Sequence, residues 1–373
     1  MLIFQAIFPV LLFASGDGES SSTTPIPIDL EILGGTNVSF SLSYEYLDQV
    51  LLPTLEEAFD IRVERQLKSR GWSQGKSHHG TVSFKIHPLP LGQALRLTNI
   101  NPNPPNDKPD KNKPTPVETI SISLIAPTTM HAPLTNALTK DLSDLFPNTP
   151  LTFKLVEESG SEARIYVLLV ALSPPFQDQA SPSPSTSPPN QRRRRWGRDI
   201  LTSTPRKPVK KTKNNPNPPS LSEYISSKVC KELYEEVSTG GVVDEFLQDQ
   251  LVIFQALAEG VSWFSSSNDG DGVDHLETEM GQLSVDDEDD QPSRNKNKAD
   301  GKSKISSAVK LRKDNRKKTQ APFGEGSTHT TTARWVTTEL LPGVAWYNDG
   351  RVCQGVGVRM EGEKEGEEGE EES

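Results

Sequence analysis

Regular apolar spacing comes in short blocks along this chain, separated by long stretches that have none. "IDLEILGGTN" (28–37) sets an apolar side chain at every second position and ends on Gly34-Gly35, the pattern of a strand closed by a turn. "SYEYLDQVLLPTLEEAF" (43–59) repeats at helical spacing through Tyr46, Val50, Leu51, Leu55 and Phe59. Pro53 lies inside it and should kink or break that helix. "DIRVERQLKSRGW" and "GTVSFKIHPL" alternate as strands. Residues 28–95 are therefore expected to form a β-α-β-β unit.

A second block follows an Asn/Pro/Lys-rich linker at 98–116. "ETISISLIAP" reads as a strand, "APLTNALTKDLSDLF" as a helix, and "LTFKLVEE" and "ARIYVLLVALS" as strands. Pro/Ser-rich sequence at 174–190 closes the block, so 117–172 is expected as a compact α+β module separate from the sheet of 28–35. "SLSEYISSKVCKELYEEV" (220–237) is the clearest helix. Ser220 and Glu223 fit a capping box, and Ile225, Val229, Leu233 and Val237 form one stripe. "VVDEFLQDQLVIFQALAEG" (242–260) is a second apolar segment. After a charge-rich stretch at 265–321, "TARWVTTELL" predicts a short helix. Asn348-Asp349-Gly350 predicts a hairpin between two final strands.

Composition changes this picture in three ways. The apolar fraction of 33% and the 30 prolines fit ordered units interrupted by disorder, not one large core. The two cysteines, Cys230 and Cys353, give neither a disulfide framework nor a zinc spacing, which makes a reducing compartment the default. The opening "MLIFQAIFPVLLFASG" imitates a signal peptide but lacks a basic n-region and is too short to span a bilayer. The alternative is an apolar helix that the chain enters in mid-domain, and no membrane span is expected.

The net charge of −11 hides local extremes. Residues 269–290 hold ten acids and no Lys or Arg, and the tail 361–373 holds eight Glu and one Lys. Against them, 192–213 holds ten basic residues and one acid, and 294–318 holds eleven and two. These blocks nearly cancel, so the rest of the chain is acidic and offers no broadly basic face. "RRRRWGR" and "PRKPVKKTK" lie in Pro-rich sequence expected to be disordered, where an import receptor or nonspecific RNA could take them. Nuclear accumulation depending on Arg192–Arg195 and Lys210–Lys213 is expected, with a cytoplasmic pool as an addition.

Chemistry is sparse. His78 and His79 fall in "QGKSHHG", a hairpin tip with no third ligand near in sequence, and read as solvated. His329 sits in "EGSTHTTTARW", where hydroxyl residues can cap the helix that follows. On its own it is either a solvated loop histidine or a nucleophile, since neutral imidazole is nucleophilic near pH 7.

Four stretches in order turn that choice. "ILGGTNVSFSLSYEYLDQVLLPTLE", "WGRDI…SEYISSKVCKELYEEV", "VDEFLQDQLVIFQALAEG" and "STHTTTARWV" together resemble the RNA 3′-terminal phosphate cyclase family. The Asp-Gln segment followed by the histidine motif is the more specific part of the likeness. The resemblance implies an α+β fold of repeated β-α-β-α-β-β units, cyclase or EPT synthase-like, with a small inserted α+β domain. It divides the chain into a first-repeat remnant (1–16), a second repeat (28–95) and an insert domain with a low-complexity extension (117–201). The third repeat would be 218–264 with 322–358, split by a disordered charged insertion (265–321) and followed by an acidic tail (359–373).

The resemblance also implies the reaction. ATP, with Mg²⁺, adenylylates the histidine; AMP passes to an RNA 3′-phosphate; the neighbouring 2′-hydroxyl closes a 2′,3′-cyclic phosphate. His329 would be the nucleophile. Phe246, Leu247, Gln248, Asp249 and Gln250 would line the ATP pocket, with Gln5 contributing from the N-terminal helix. An RNA with a 3′-phosphate end would be the partner substrate. The alternative is a non-catalytic cyclase-like factor in pre-ribosomal RNA processing, or an inactive fragment. The Gly-Glu-Gly-Gly-Gly-Gln and Arg-rich Pro-Gly-Leu motifs that open the family do not occur here, and its Pro-Ala-x-Gly-Gly-Gly turn stands as "SQGKSHHG". The likeness thus implies an N-terminally truncated member whose lost repeat carried cationic contacts to phosphate. The helix 2–14 would then expose an apolar face and make the chain poorly soluble.

Overall fold

The computed structural model describes residues 1–15, 25–74, 78–97, 115–175, 193–204, 219–264, 323–324 and 326–360. The charged insertion 265–321, the tail beyond 360 and the Lys210–Lys213 cluster lie outside the described residues. The fold is α+β, with one mixed sheet and two antiparallel ones.

The first unit is β1 (Ile28–Gly34), α2 (44–59), β2 (Arg62–Ser69) and β3 (Gly80–His87), preceded by α1 (Leu2–Leu11). Its sheet runs β1-β3-β2, all antiparallel, in the order the alternating pattern needs to bury Ile32, Val63, Val82, Phe84 and Ile86 on one face. Pro53 does not break α2. The residues just before it, Leu47–Leu51, widen into a π-helical turn, and the Leu52 N–H donates to the Leu47 carbonyl. Proline has no N–H to give to the preceding turn, and a π-bulge absorbs that defect without ending the helix.

The same strand order recurs near the C-terminus. There β8 (Glu259–Trp263), α6 (Thr328–Leu340), β9 (Ala345–Tyr347) and β10 (Val352–Val356) form a sheet ordered β8-β10-β9. Both three-stranded units are β-α-β-β with the last strand in the middle. The β9–β10 turn is the expected hairpin, with Asn348, Asp349 and Gly350 all at positive φ (54°, 58° and 79°). The segment 242–260 divides into α5 (Glu245–Leu257) and the start of β8. The helix after the hydroxyl run begins at Thr328, so His329 lies inside its first turn and not before it.

Between these units stand β4 (Thr119–Ala126), α3 (Thr128–Leu145), β5 (Leu151–Glu158), β6 (Ile165–Leu172), β7 (Arg195–Thr202) and α4 (Leu221–Ser238). The strands form a four-stranded sheet ordered β5-β4-β6-β7, in which β4 and β5 are parallel. The capping box of Ser220 and Glu223 starts α4 as its sequence requires. That helix packs on α3 and the sheet, through Ile225, Val229, Cys230 and Leu233, although its position in the chain suggested the third unit.

The four-stranded sheet is separate from the sheet of Ile28–Gly34, yet the two share a core. One face meets α3 and α4. The opposite face sends Ile125, Tyr166, Leu168 and Val170 into a core shared with α1, α2 and α5. Gly197 on β7 lies so close to α2 that a Cβ there would stand 2.7 Å from the Tyr46 ring and 2.9 Å from Val50. Only glycine permits that approach of strand and helix.

Ion pairs tie the four-stranded sheet to the helices on both its faces. Arg70 joins Glu45 of α2 to Glu157 of β5, and Arg195 holds Glu57 of α2. Arg198 pairs with Glu236 of α4, and Arg193 with Glu118. The stretch 193–198, expected as a basic cluster in disordered Pro-rich sequence, is instead strand and strand entry. The charges of Arg193, Arg195 and Arg198 are met by carboxylates distant in sequence.

In α1, Phe4 and Phe8 are buried and stack on each other at 4.7 Å between ring centroids, with Phe254 5.8 Å from Phe8 and Phe84 4.2 Å from Phe4. Its inner face therefore has a partner, while Leu2, Ile3 and Val10 remain 58–68% exposed on the outer face. Among the described residues no helix is long and apolar enough to cross a membrane.

Candidate functional site

Two helices build the site. Asp244 caps α5: its carboxylate accepts the Leu247 N–H at 2.9 Å. Ser327 caps α6: its hydroxyl accepts the Thr330 N–H at 3.0 Å. α5 and α6 pack side by side, which brings the first turn of α6 onto the middle of α5. His329 Nδ1 thereby stands 3.5 Å from Asp249 Oδ2, across a sequence gap of about eighty residues.

The two side chains differ in setting. His329 is 87% exposed and Asp249 only 19%. Burial pushes the Asp249 carboxyl above its usual range, and the nearby His329 and Arg334 work in the opposite direction. The imidazole thus keeps one nitrogen towards a carboxylate and the other towards solvent. That is the arrangement in which a carboxylate fixes the tautomer and leaves Nε2 free to react.

Gln250, one position further along α5, accepts a hydrogen bond from the Gln5 amide of α1. The Gln5 Oε1 is buried and has no donor among the described residues. Gln248 is buried beneath Gly326: a Cβ at Gly326, whose φ is +118°, would lie 3.0 Å from Gln248 Oε1. Glycine is what lets the entry to α6 pass over that amide. Phe246 is 45% exposed and turns towards Tyr46 and the Arg198 guanidinium, which lies 4.3 Å above its ring. Leu247 is fully buried in the core. Of the six residues proposed around the histidine, Asp249 touches it, and Gln250 and Gln5 form a neighbouring pair. Gln248 underlies its loop, while Phe246 and Leu247 face elsewhere.

Arg334 was not anticipated. It is 1% exposed and donates to the Phe323 carbonyl at 3.2 Å. Its guanidinium stands 5.5 Å from the centroid of the Trp346 ring, and Gly350 packs directly on it. It lies on the buried stripe of α6 formed by Thr330, Thr331, Arg334 and Thr337. That phase was readable: an arginine four residues after one inward position and three before the next must point inward too. His78 Nδ1 lies 3.1 Å from the Arg70 carbonyl. Among the described residues no three His, Cys, Asp or Glu side chains converge as a metal site.

Comparison with known proteins agrees with this architecture. The profile of the family described as RNA 3'-terminal phosphate cyclase matches residues 1–283, a range that includes Gln5 and 246–250 and ends ahead of His329. The RNA 3'-terminal phosphate cyclase of Drosophila melanogaster is 42% identical over 67 residues, 17% of this chain and 16% of that protein. The RNA 3'-terminal phosphate cyclase of Thermococcus sibiricus is 25% identical over 265 residues, 71% of this chain. The match spans 61% of that archaeal relative's length. With three quarters of its length matched by the profile, the chain belongs to the RNA 3'-terminal phosphate cyclase family.

Proposed function

We propose that this chain carries out the ATP-dependent cyclisation of RNA 3′-phosphate ends, with His329 as the group that accepts AMP. The observation that carries the reading is the 3.5 Å approach of His329 Nδ1 to Asp249 at the start of α6. With the Nδ1 proton directed at Asp249, Nε2 attacks the α-phosphorus of ATP. The N–P bond forms as the bond to pyrophosphate breaks, and pyrophosphate leaves with its electron pair. An oxygen of the RNA 3′-phosphate then attacks the same phosphorus and the N–P bond breaks, which frees the imidazole. Finally the 2′-hydroxyl attacks the activated 3′-phosphorus, loses its proton, and expels AMP.

The residues present suit a nucleotide. The α6 N-terminus offers backbone N–H groups to phosphate, and the buried Gln5 Oε1 is an acceptor in need of a donor. Asp249 is the one carboxylate that faces His329 among the described residues, so a Mg²⁺ ion here would draw most of its shell from the triphosphate and water. Bound there, it would neutralise charge on the leaving pyrophosphate.

The test is incubation of the chain with α-labelled ATP. A covalent, acid-labile and base-stable adduct supports the reading, and its absence from wild type sinks it. Asp249→Asn keeps the shape but removes the charge that orients the imidazole. It should slow labelling by about 10- to 100-fold, the size of effect known for loss of a carboxylate that orients a metal-bound histidine. The raised carboxyl pKa of Asp249 adds a signature. Wild-type labelling should decline as falling pH protonates Asp249, and that component of the profile should be missing in Asp249→Asn. Equal rates in the two proteins would remove Asp249 from the chemistry.

Nuclear location is likewise proposed. Because Arg193 and Arg195 are held in ion pairs, the cluster Lys210–Lys213 is the better candidate for an import receptor. Its replacement by Ala should disperse a fluorescent fusion into the cytoplasm. An unchanged distribution would count against import through this cluster.

A further inference from the structure

Arg193, Arg194 and Arg195 are the described members of a run of four arginines at the start of β7, and two of them are matched. Arg193 pairs with Glu118 and donates to the Ser173 carbonyl at 3.3 Å. Arg195 grips Glu57 with both arms of its fork, one of them at 2.7 Å. Arg194 differs. Its backbone N–H donates to Ser173 Oγ at 2.9 Å, but no carboxylate among the described residues stands within ion-pair distance of its guanidinium. Burial alone acts on it and pushes its pKa down. For Arg65, Arg70 and Arg198 burial pulls the same way, yet their carboxylate partners outweigh it.

Arg194 also borders a small pocket. Thr54, Glu57 and Ala58 of α2 form one wall, the three arginines a second, and Val242, Val243, Leu247 and Phe264 the rest. The Thr54 hydroxyl is committed to the Val50 carbonyl at 2.8 Å, and both Glu57 oxygens are taken by Arg195. One positive charge is left over. Arginine cannot shed its proton, and a partly buried charge without a counter-charge is costly. The guanidinium fork, set in mainly apolar walls, matches a tetrahedral oxyanion. Leu247 and Asp249 are two residues apart on α5 and so point about 200° apart around the helix. The pocket is therefore on the side of α5 away from His329.

We propose that this pocket is a second anion site, distinct from the histidine site, which takes a single phosphate group. The phosphate could be free or part of an RNA backbone, since the two share the chemistry that Arg194 recognises.

The experiment is thermal unfolding of the whole chain against increasing inorganic phosphate at constant ionic strength. A parallel binding titration uses an oligoribonucleotide with a 3′-hydroxyl end, which is no substrate for cyclisation. Wild type should show a saturable rise in Tm with phosphate. Arg194→Met should lose that response, or need at least ten times more phosphate for half-saturation, while Arg194→Lys keeps part of it. If Arg194→Met is not recovered folded, Arg194→Gln takes its place. Weaker oligoribonucleotide binding by the charge-free variant identifies the RNA backbone as the source. Unchanged binding together with a lost phosphate response identifies the free ion. A wild type with no saturable response to phosphate or RNA, or a variant whose responses equal wild type, overturns the proposal.

Discussion

His329→Asn should abolish the AMP adduct, with labelling from α-labelled ATP falling by at least about a thousandfold. Asparagine keeps a polar side chain of similar reach but has no nucleophilic nitrogen, and His329→Ala should fail equally. Folding should not be the cause. The α6 N-cap depends on Ser327 and Thr330, and the His329 side chain is 87% exposed. Substitution of so exposed a group should change stability by no more than roughly 0.5 kcal/mol. Unchanged thermal unfolding beside lost labelling therefore separates chemistry from structure. A His329→Asn protein that labels at the wild-type rate would make this histidine a solvated helix-start residue.

The sequence disclosed elements better than it disclosed neighbours. The Ser220–Glu223 box and the Asn348–Gly350 turn are local devices, so a few residues suffice to read them. The ion pairs of Arg195 with Glu57 and Arg193 with Glu118 join residues far apart in the chain, and nothing local marks a run of arginines as paired. Four positive charges beside a Pro-rich stretch look like solvated linker until the sheet is assembled. The shared core had a visible sign. β6 reads "IYVLLVAL" with no alternation, and a strand apolar on both faces needs a partner on both. Flanking low-complexity sequence masked that sign by suggesting an independent module.

The candidate site divides the same way. Asp249 and Gln250 sit in one motif, but whether a helical residue faces a ligand or the core depends on its phase against neighbours not yet placed. Leu247 and Gln248 turn inward because α5 packs on α1, α2 and α6 at once. The meeting of Asp249 with His329 follows from the packing of α5 on α6, which no spacing along the chain could show.

Asp244→Ala should unfold the chain more readily than any substitution at the histidine, by on the order of 3 kcal/mol. This carboxylate is fully buried and accepts three hydrogen bonds. The Tyr46 hydroxyl donates at 2.6 Å, the Gly197 N–H at 2.7 Å and the Leu247 N–H at 2.9 Å. Alanine leaves all three donors buried with no acceptor, each costing about 1–3 kcal/mol. Part of that loss is offset, because burial of Asp244 is itself unfavourable and raises its pKa above the ordinary 3.8. A raised folded-state pKa means that the folded protein holds this proton more tightly than the unfolded chain. Stability from this group is thus fully present below pH 3.8 and is lost as pH rises through the folded pKa. Asp244→Asn should flatten that slope, since it cannot ionise. Because Asp244 ties α2, β7 and α5 together, Asp244→Ala should also loosen the helix that carries Asp249 and slow labelling of the fraction still folded. Denaturant unfolding from pH 3 to 8 checks both parts. An Asp244→Ala protein as stable as wild type would mean that these three bonds do not hold the seam.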